Sequence, residues 1–122
     1  MKEAIILFAH GSRDPQWAAP MRTIFERVAS RRPQTHIALA FLELMAPNLH
    51  EAVTEAVAQG AQSISVVPLF LAAGGHLKND LPKLVAQSAK LFPEVQITTL
   101  PPIGESAELL DAIANWVCAT VR

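Results

Sequence analysis

Cysteine occurs once, at Cys118, so an intramolecular disulfide is excluded and a reducing compartment is the expected setting. Charge is also scarce. Charged residues make up 17% of the chain and the formal net charge is −1. With no basic stripe and no block of like charge, the sequence argues against nucleic-acid binding and against a charged interaction tail. Long apolar runs are missing as well. The longest, residues 66–75, is about half of the roughly 20 residues that span a bilayer. Lys2 precedes only a short apolar run with no cleavage-site pattern, which speaks against a signal peptide. Linkers and low-complexity segments are absent too. What remains is 122 residues, 51% of them hydrophobic, which is enough for one cored domain over residues 1–122 and too apolar for a disordered chain. A cytoplasmic domain with no membrane partner is the expectation.

What is present alternates. Residues 4–9 are continuously apolar, the mark of a strand buried on both faces. Pro20 can start a helix in which Met21, Ile24, Phe25 and Val28 recur at helical spacing, and Arg31, Arg32 and Pro33 close it. A second strand is expected at 36–42. A second helix is expected from Pro47, with Leu49, Val53, Ala56 and Val57 on one face and Gly60 as its stop. A third strand, 63–71, contains Pro68, which calls for a bulge there or an N–H position that faces no neighbour. Asp80 can cap a third helix over 81–91. A short fourth strand at 95–100 follows, then a last helix after Gly104 with Leu109, Leu110, Ile113, Trp116 and Val117 turned inward. Cys118 belongs to that same inward stretch. Four β-α units with short connections predict an α/β fold: a four-stranded parallel sheet, order 2-1-3-4, with helices on both faces.

Ligands of such sheets bind beyond the carboxyl ends of the strands, where the winding reverses. The first strand runs into His10-Gly11-Ser12-Arg13-Asp14-Pro15, and the third into the AAGGHLKNDLP stretch, 72–82. His10 and His76 are far apart in sequence but belong to the same crevice. Imidazole accepts protons near neutral pH and binds divalent iron, cobalt, nickel and zinc. Glu43, closing the apolar run of the second strand, is a third candidate that could orient a histidine or bind metal. Arg13 and Lys78 could hold anions, and the glycines, Gly75 among them, leave room above the sheet. Ser12 lacks the surroundings of a nucleophile elbow. Trp17 either stacks on a flat ligand or staples the first helix. His36 and His50 read as surface residues.

The two loops together resemble the small class II tetrapyrrole chelatases, the sirohydrochlorin cobalt or iron chelatases of cobalamin and sirohaem synthesis. The resemblance rests on HGSRDP after the first strand and GGHLKNDLP after the third, and it covers essentially the whole chain. It implies insertion of Co²⁺ or Fe²⁺, with Ni²⁺ as a third candidate, into a porphyrin-like macrocycle, without a nucleotide and with no cofactor beyond the metal substrate. It implies that His10 and His76 form the metal site. Glu43, at the end of the second strand, stands beside them as the further metal candidate, and Arg13, Ser12, Lys78 and Gly75 are the candidates to meet the acidic substrate. It also implies that the chain is half of a chelatase, completed as a homodimer.

Three rivals stand beside that reading. A phosphohistidine enzyme would place Arg directly before the His, where this chain has Ala9. A flavodoxin-like or receiver-like module would show a Ser/Thr-rich phosphate loop or an Asp ending the third strand. A metal or tetrapyrrole carrier would share the site without the reaction.

Overall fold

The computed structural model describes residues 2–72 and 74–122, apart from the side chain of His76. Four strands, β1 (Glu3–Ala9), β2 (His36–Phe41), β3 (Ser63–Pro68) and β4 (Gln96–Thr99), form one parallel sheet in the order β2-β1-β3-β4. Four helices follow them in turn: α1 (Ala19–Arg31), α2 (Leu49–Ala58), α3 (Gly75–Leu91) and α4 (Ala107–Thr120). Short 3-10 turns precede α1 (Pro15–Ala18) and α4 (Ile103–Glu105). The expected sheet order and the placement of helices on both faces are what the structure has.

β1 sits at the centre because it can be buried on both faces: Ala4, Ile6, Leu7, Phe8 and Ala9 are all buried. Ile6, Phe8, Ile64 and Val66 point to one face, where they meet Val53 and Ala56 of α2 and Leu77 and Leu81 of α3. Complete burial of side chains this size contributes about 1.5–3 kcal/mol each. The opposite face is thinner. There Ala9 and Phe41 pack under Ala18, Trp17 and Met21, at the β2 side of the sheet. Trp17 lies 6.4 Å from the Phe41 ring, so it acts as the staple of the first helix.

Several local expectations are corrected. Pro47 does not open α2. It precedes it, and Asn48 caps the helix through a reciprocal pair, Glu51 N–H to Asn48 Oδ1 at 2.8 Å and Asn48 N–H to Glu51 Oε1 at 3.0 Å. At Pro68 the strand simply ends. The β3–β4 pairing stops at Val66, so the proline's missing donor faces no ladder partner. The third helix begins at Gly75 instead of 81, so Gly75, His76, Lys78 and Asp80 are helical rather than in a loop. The cause is Leu77 and Leu81, one turn apart and both buried in the core, which hold that segment in helical geometry. Pro82 sits inside the helix, where it cannot donate to the Lys78 carbonyl. Finally, the apolar residues of α4 do not face inward. Leu110, Ile113, Trp116, Val117 and Cys118 are exposed, because α4 stands away from the sheet.

Candidate metal and tetrapyrrole site

His10 is the first residue beyond β1, exposed above the central strand. Its ring lies 4.6 Å from that of Phe70, in an edge-on contact at 69°. Phe70 is itself buried and stands edge-on to Phe8, 6.0 Å away. A ladder of three rings therefore rises from the core to the imidazole and fixes the side on which it can lie. Sequence reasoning missed Phe70. Its signal was a large apolar residue two places beyond Pro68, continuing the strand's alternation into a glycine-rich loop.

The chain after β2 is fastened to the same spot. Leu42 N–H donates to the Ala9 carbonyl at 2.8 Å, and Glu43 N–H to the His10 carbonyl at 3.1 Å. Gly11 has φ +93°, and a Cβ there would collide with the Glu43 carbonyl. Glycine at this position lets two backbones touch, and that contact sets Glu43 beside His10. Both side chains are exposed and free to meet a ligand.

The first turn of α3 borders this place. Its N-cap, Gly74, offers no side chain to the helix N–H groups, and a Cβ at Gly74 or Gly75 would meet open space. An uncovered helix start of this kind favours negative charge. His76 is the second residue of the helix, and its side chain lies outside the described residues. Lys78 is exposed and borders an apolar hollow of about 420 Å³. Phe70, Leu77, Leu81 and Val85 wall the hollow, so the ring that holds His10 also forms part of it.

Ser12 and Asp14 shape the first loop. Ser12 Oγ accepts from Asp14 N–H at 3.1 Å, and Asp14 Oδ1 accepts from Gln16 N–H at 2.9 Å, capping the turn before α1. Arg13 is exposed and has no ion pair among the described residues. No three His, Cys, Asp or Glu residues converge as a metal cage among the described residues. His10 and Glu43 supply one nitrogen and one carboxylate at the mouth, and the site is open on its outer side. No helix among the described residues is long and apolar enough to cross a membrane. His50 is exposed as expected, whereas His36 is half-buried and its Nε2 has no hydrogen-bond partner among the described residues.

Residues 4–120 match the model of the CbiX family. The chain belongs to the CbiX family. Among CbiX relatives, a sirohydrochlorin ferrochelatase of Bacillus subtilis is 33% identical over 113 residues, 93% of this chain and 43% of that protein. A sirohydrochlorin cobaltochelatase of Saccharolobus islandicus is 30% identical and matched along 95% of this chain and 94% of its own length. The chain spans about half the length of several curated relatives it matches, and nearly all of the Saccharolobus protein. A putative cobalamin biosynthesis CbiX protein from Marinobacter aquaeolei superposes with a TM-score of 0.85 at 36% identity, covering 96% of this chain and 95% of that one. The sirohydrochlorin chelatase SirB from Bacillus subtilis, in complex with cobalt, superposes with a TM-score of 0.79 at 31% identity, with 98% of this chain on 51% of SirB. The fold is therefore that of the CbiX and SirB structures, and it accounts for about half of the SirB chain.

Proposed function

We propose that this chain inserts a divalent metal, Co²⁺ or Fe²⁺, into sirohydrochlorin or a closely related tetrapyrrole, in the cytoplasm and without a nucleotide. The observation that supports it most is His10, braced on Phe70 at the mouth of the central strand and joined through the Gly11 contact to Glu43. Metallation needs two pyrrole N–H protons to leave as the metal arrives. A neutral imidazole can do either job: it offers a lone pair to the metal or takes a pyrrole proton. In this reading His10 and His76 share those jobs and Glu43 completes the metal's approach. The macrocycle is rich in carboxylates, which suits the exposed Arg13 and Lys78, the Ser12 turn and the bare helix start at Gly75. The apolar hollow beside Phe70 receives the edge of the disc. No cofactor beyond the metal substrate is invoked. Imidazole with carboxylate accepts Fe²⁺, Co²⁺ and Ni²⁺ alike, so supply and geometry choose among them.

A tetrapyrrole is wider than one such mouth, and pockets bury most of a ligand's surface. A symmetric homodimer that presents two sets of these loops to one macrocycle meets that need. The test is absorbance of sirohydrochlorin with Co²⁺ or Fe²⁺, with and without protein. His10→Ala, at an exposed position, should keep the far-UV circular dichroism and lose a factor on the order of 10² or more in metallation rate. Binding without acceleration by the unaltered protein would instead identify a carrier.

A further inference from the structure

Two large apolar side chains at the carboxyl edge of the sheet stand open to solvent. Leu44 is 56% accessible and Leu71 61%. Their places are matched. β2 and β3 are the two neighbours of β1, and each leucine lies three residues past the end of its strand, so the two come to opposite sides of His10. Both loops stay tied to the end of β1. Leu42 N–H and Glu43 N–H reach the Ala9 and His10 carbonyls on one side, and Leu69 N–H donates to the Phe8 carbonyl at 2.8 Å on the other. A glycine also pins each loop by letting a second backbone touch it. A Cβ at Gly11 would strike the Glu43 carbonyl, and one at Gly104 would strike the Leu71 carbonyl. The loops leave the sheet two strand spacings apart, about 10 Å, with the imidazole between them.

Leu44 carries a second mark. Its φ is +67°, the one positive value at a non-glycine among the described residues. That left-handed region is unfavourable for a bulky side chain, whereas Gly, Asn and Asp enter it more readily. A turn alone would be better served by Asn. Leucine here is disfavoured twice, by its backbone angle and by its exposure, so local folding does not account for it. Backbone outliers of this kind gather at ligand sites.

We infer that Leu44 and Leu71 are paired apolar rests for the macrocycle, one on either side of His10, which seat the ring across the imidazole. The inference rests on the chelatase reading above and names what grips the uncharged part of the substrate. Arg13 and Lys78 suit the carboxylates at the rim of the disc. Two leucines suit the flat conjugated face that those carboxylates leave bare. Each gains by leaving water when the ring arrives, and neither can bind metal or move a proton. Because both loops are pinned before the substrate comes, little freedom is lost on binding.

Leu44→Asn and Leu71→Asn test this in the full chain. Absorbance titration with sirohydrochlorin alone should show about tenfold weaker binding for each. Metallation should show KM raised to match, with kcat within about twofold of the unaltered chain. Affinity for Co²⁺ alone, by calorimetry, should not change. Added salt should leave the loss in place, unlike a loss from the rim charges. Leu44→Met, again apolar, should recover most of it. Leu44→Asn also relieves the left-handed angle, so it should melt no lower than the unaltered chain. A clear drop in Tm would mark Leu44 as part of the fold and overturn the assignment. Unchanged sirohydrochlorin binding in both Asn variants would overturn it and leave the chelatase standing. So would weaker self-association in sedimentation velocity that accompanies the loss, since the leucines would then belong to a contact between copies. An unaltered chain that binds no sirohydrochlorin would overturn the inference and the chelatase reading together.

Discussion

At the scale of single residues, the site is held by contacts that carry no reactivity themselves. Phe70 touches Phe8 below and His10 above, so its ring links the packing of the core to the aim of the imidazole. Phe70→Leu keeps an apolar side chain in the core and should cost only ~1–2 kcal/mol of stability. It should nevertheless slow metallation several-fold, because His10 loses the surface it rests on. Thermal unfolding beside initial rates separates the two effects, and an unchanged rate would mean the ring contact is idle. Arg13 and Lys78 belong to the substrate's rim rather than its reacting nitrogens. Their double alanine variant should raise KM about tenfold with kcat nearly unchanged, since contacts equal in ground and transition states act on binding alone. Added salt should shrink that difference.

At the scale of elements, capping and core anchoring set the boundaries. Asn48 and Glu51 each satisfy the other's backbone N–H at the start of α2. Asn48→Ala should lower stability by about 1 kcal/mol in urea unfolding with the sheet intact. The periodicity of this segment was readable, but its start was not, because Pro47 is an attractive first residue and the cap one place later is decided by a side-chain bond. α3 shows the same difficulty more strongly. Two glycines, an Asp and a Pro read as a loop, yet Leu77 and Leu81 reach the core and carry the helix through all of them. Strand order, and Glu43 at the same sheet edge as His10, were legible, since apolar runs and strand ends follow directly from burial and backbone geometry. Phe70 as the brace of His10 was not, because ring contacts join residues that no local pattern connects. The outward stance of α4 was illegible for a related reason: an apolar stripe marks a face that can pack, and the path of the connection before it decides where that face goes.

At the scale of the whole molecule, α2 and α3 cover one face of the sheet while the opposite face is more thinly packed. If two chains complete each other, activity per chain should fall as the protein is diluted through the dimer's dissociation constant. Metallation rates across a dilution series, normalised to chain concentration, would show this, and a constant value down to the monomer would contradict it. The exit from the sheet is pinned between Leu100 and Gly104, whose N–H groups donate to the Val66 and Phe70 carbonyls at 2.9 and 3.0 Å. Beyond it, α4 rests mainly on the Ile103–Glu105 turn. The helix can therefore open without breaking a bond of the sheet, so deuterium should enter its amides well before those of β4.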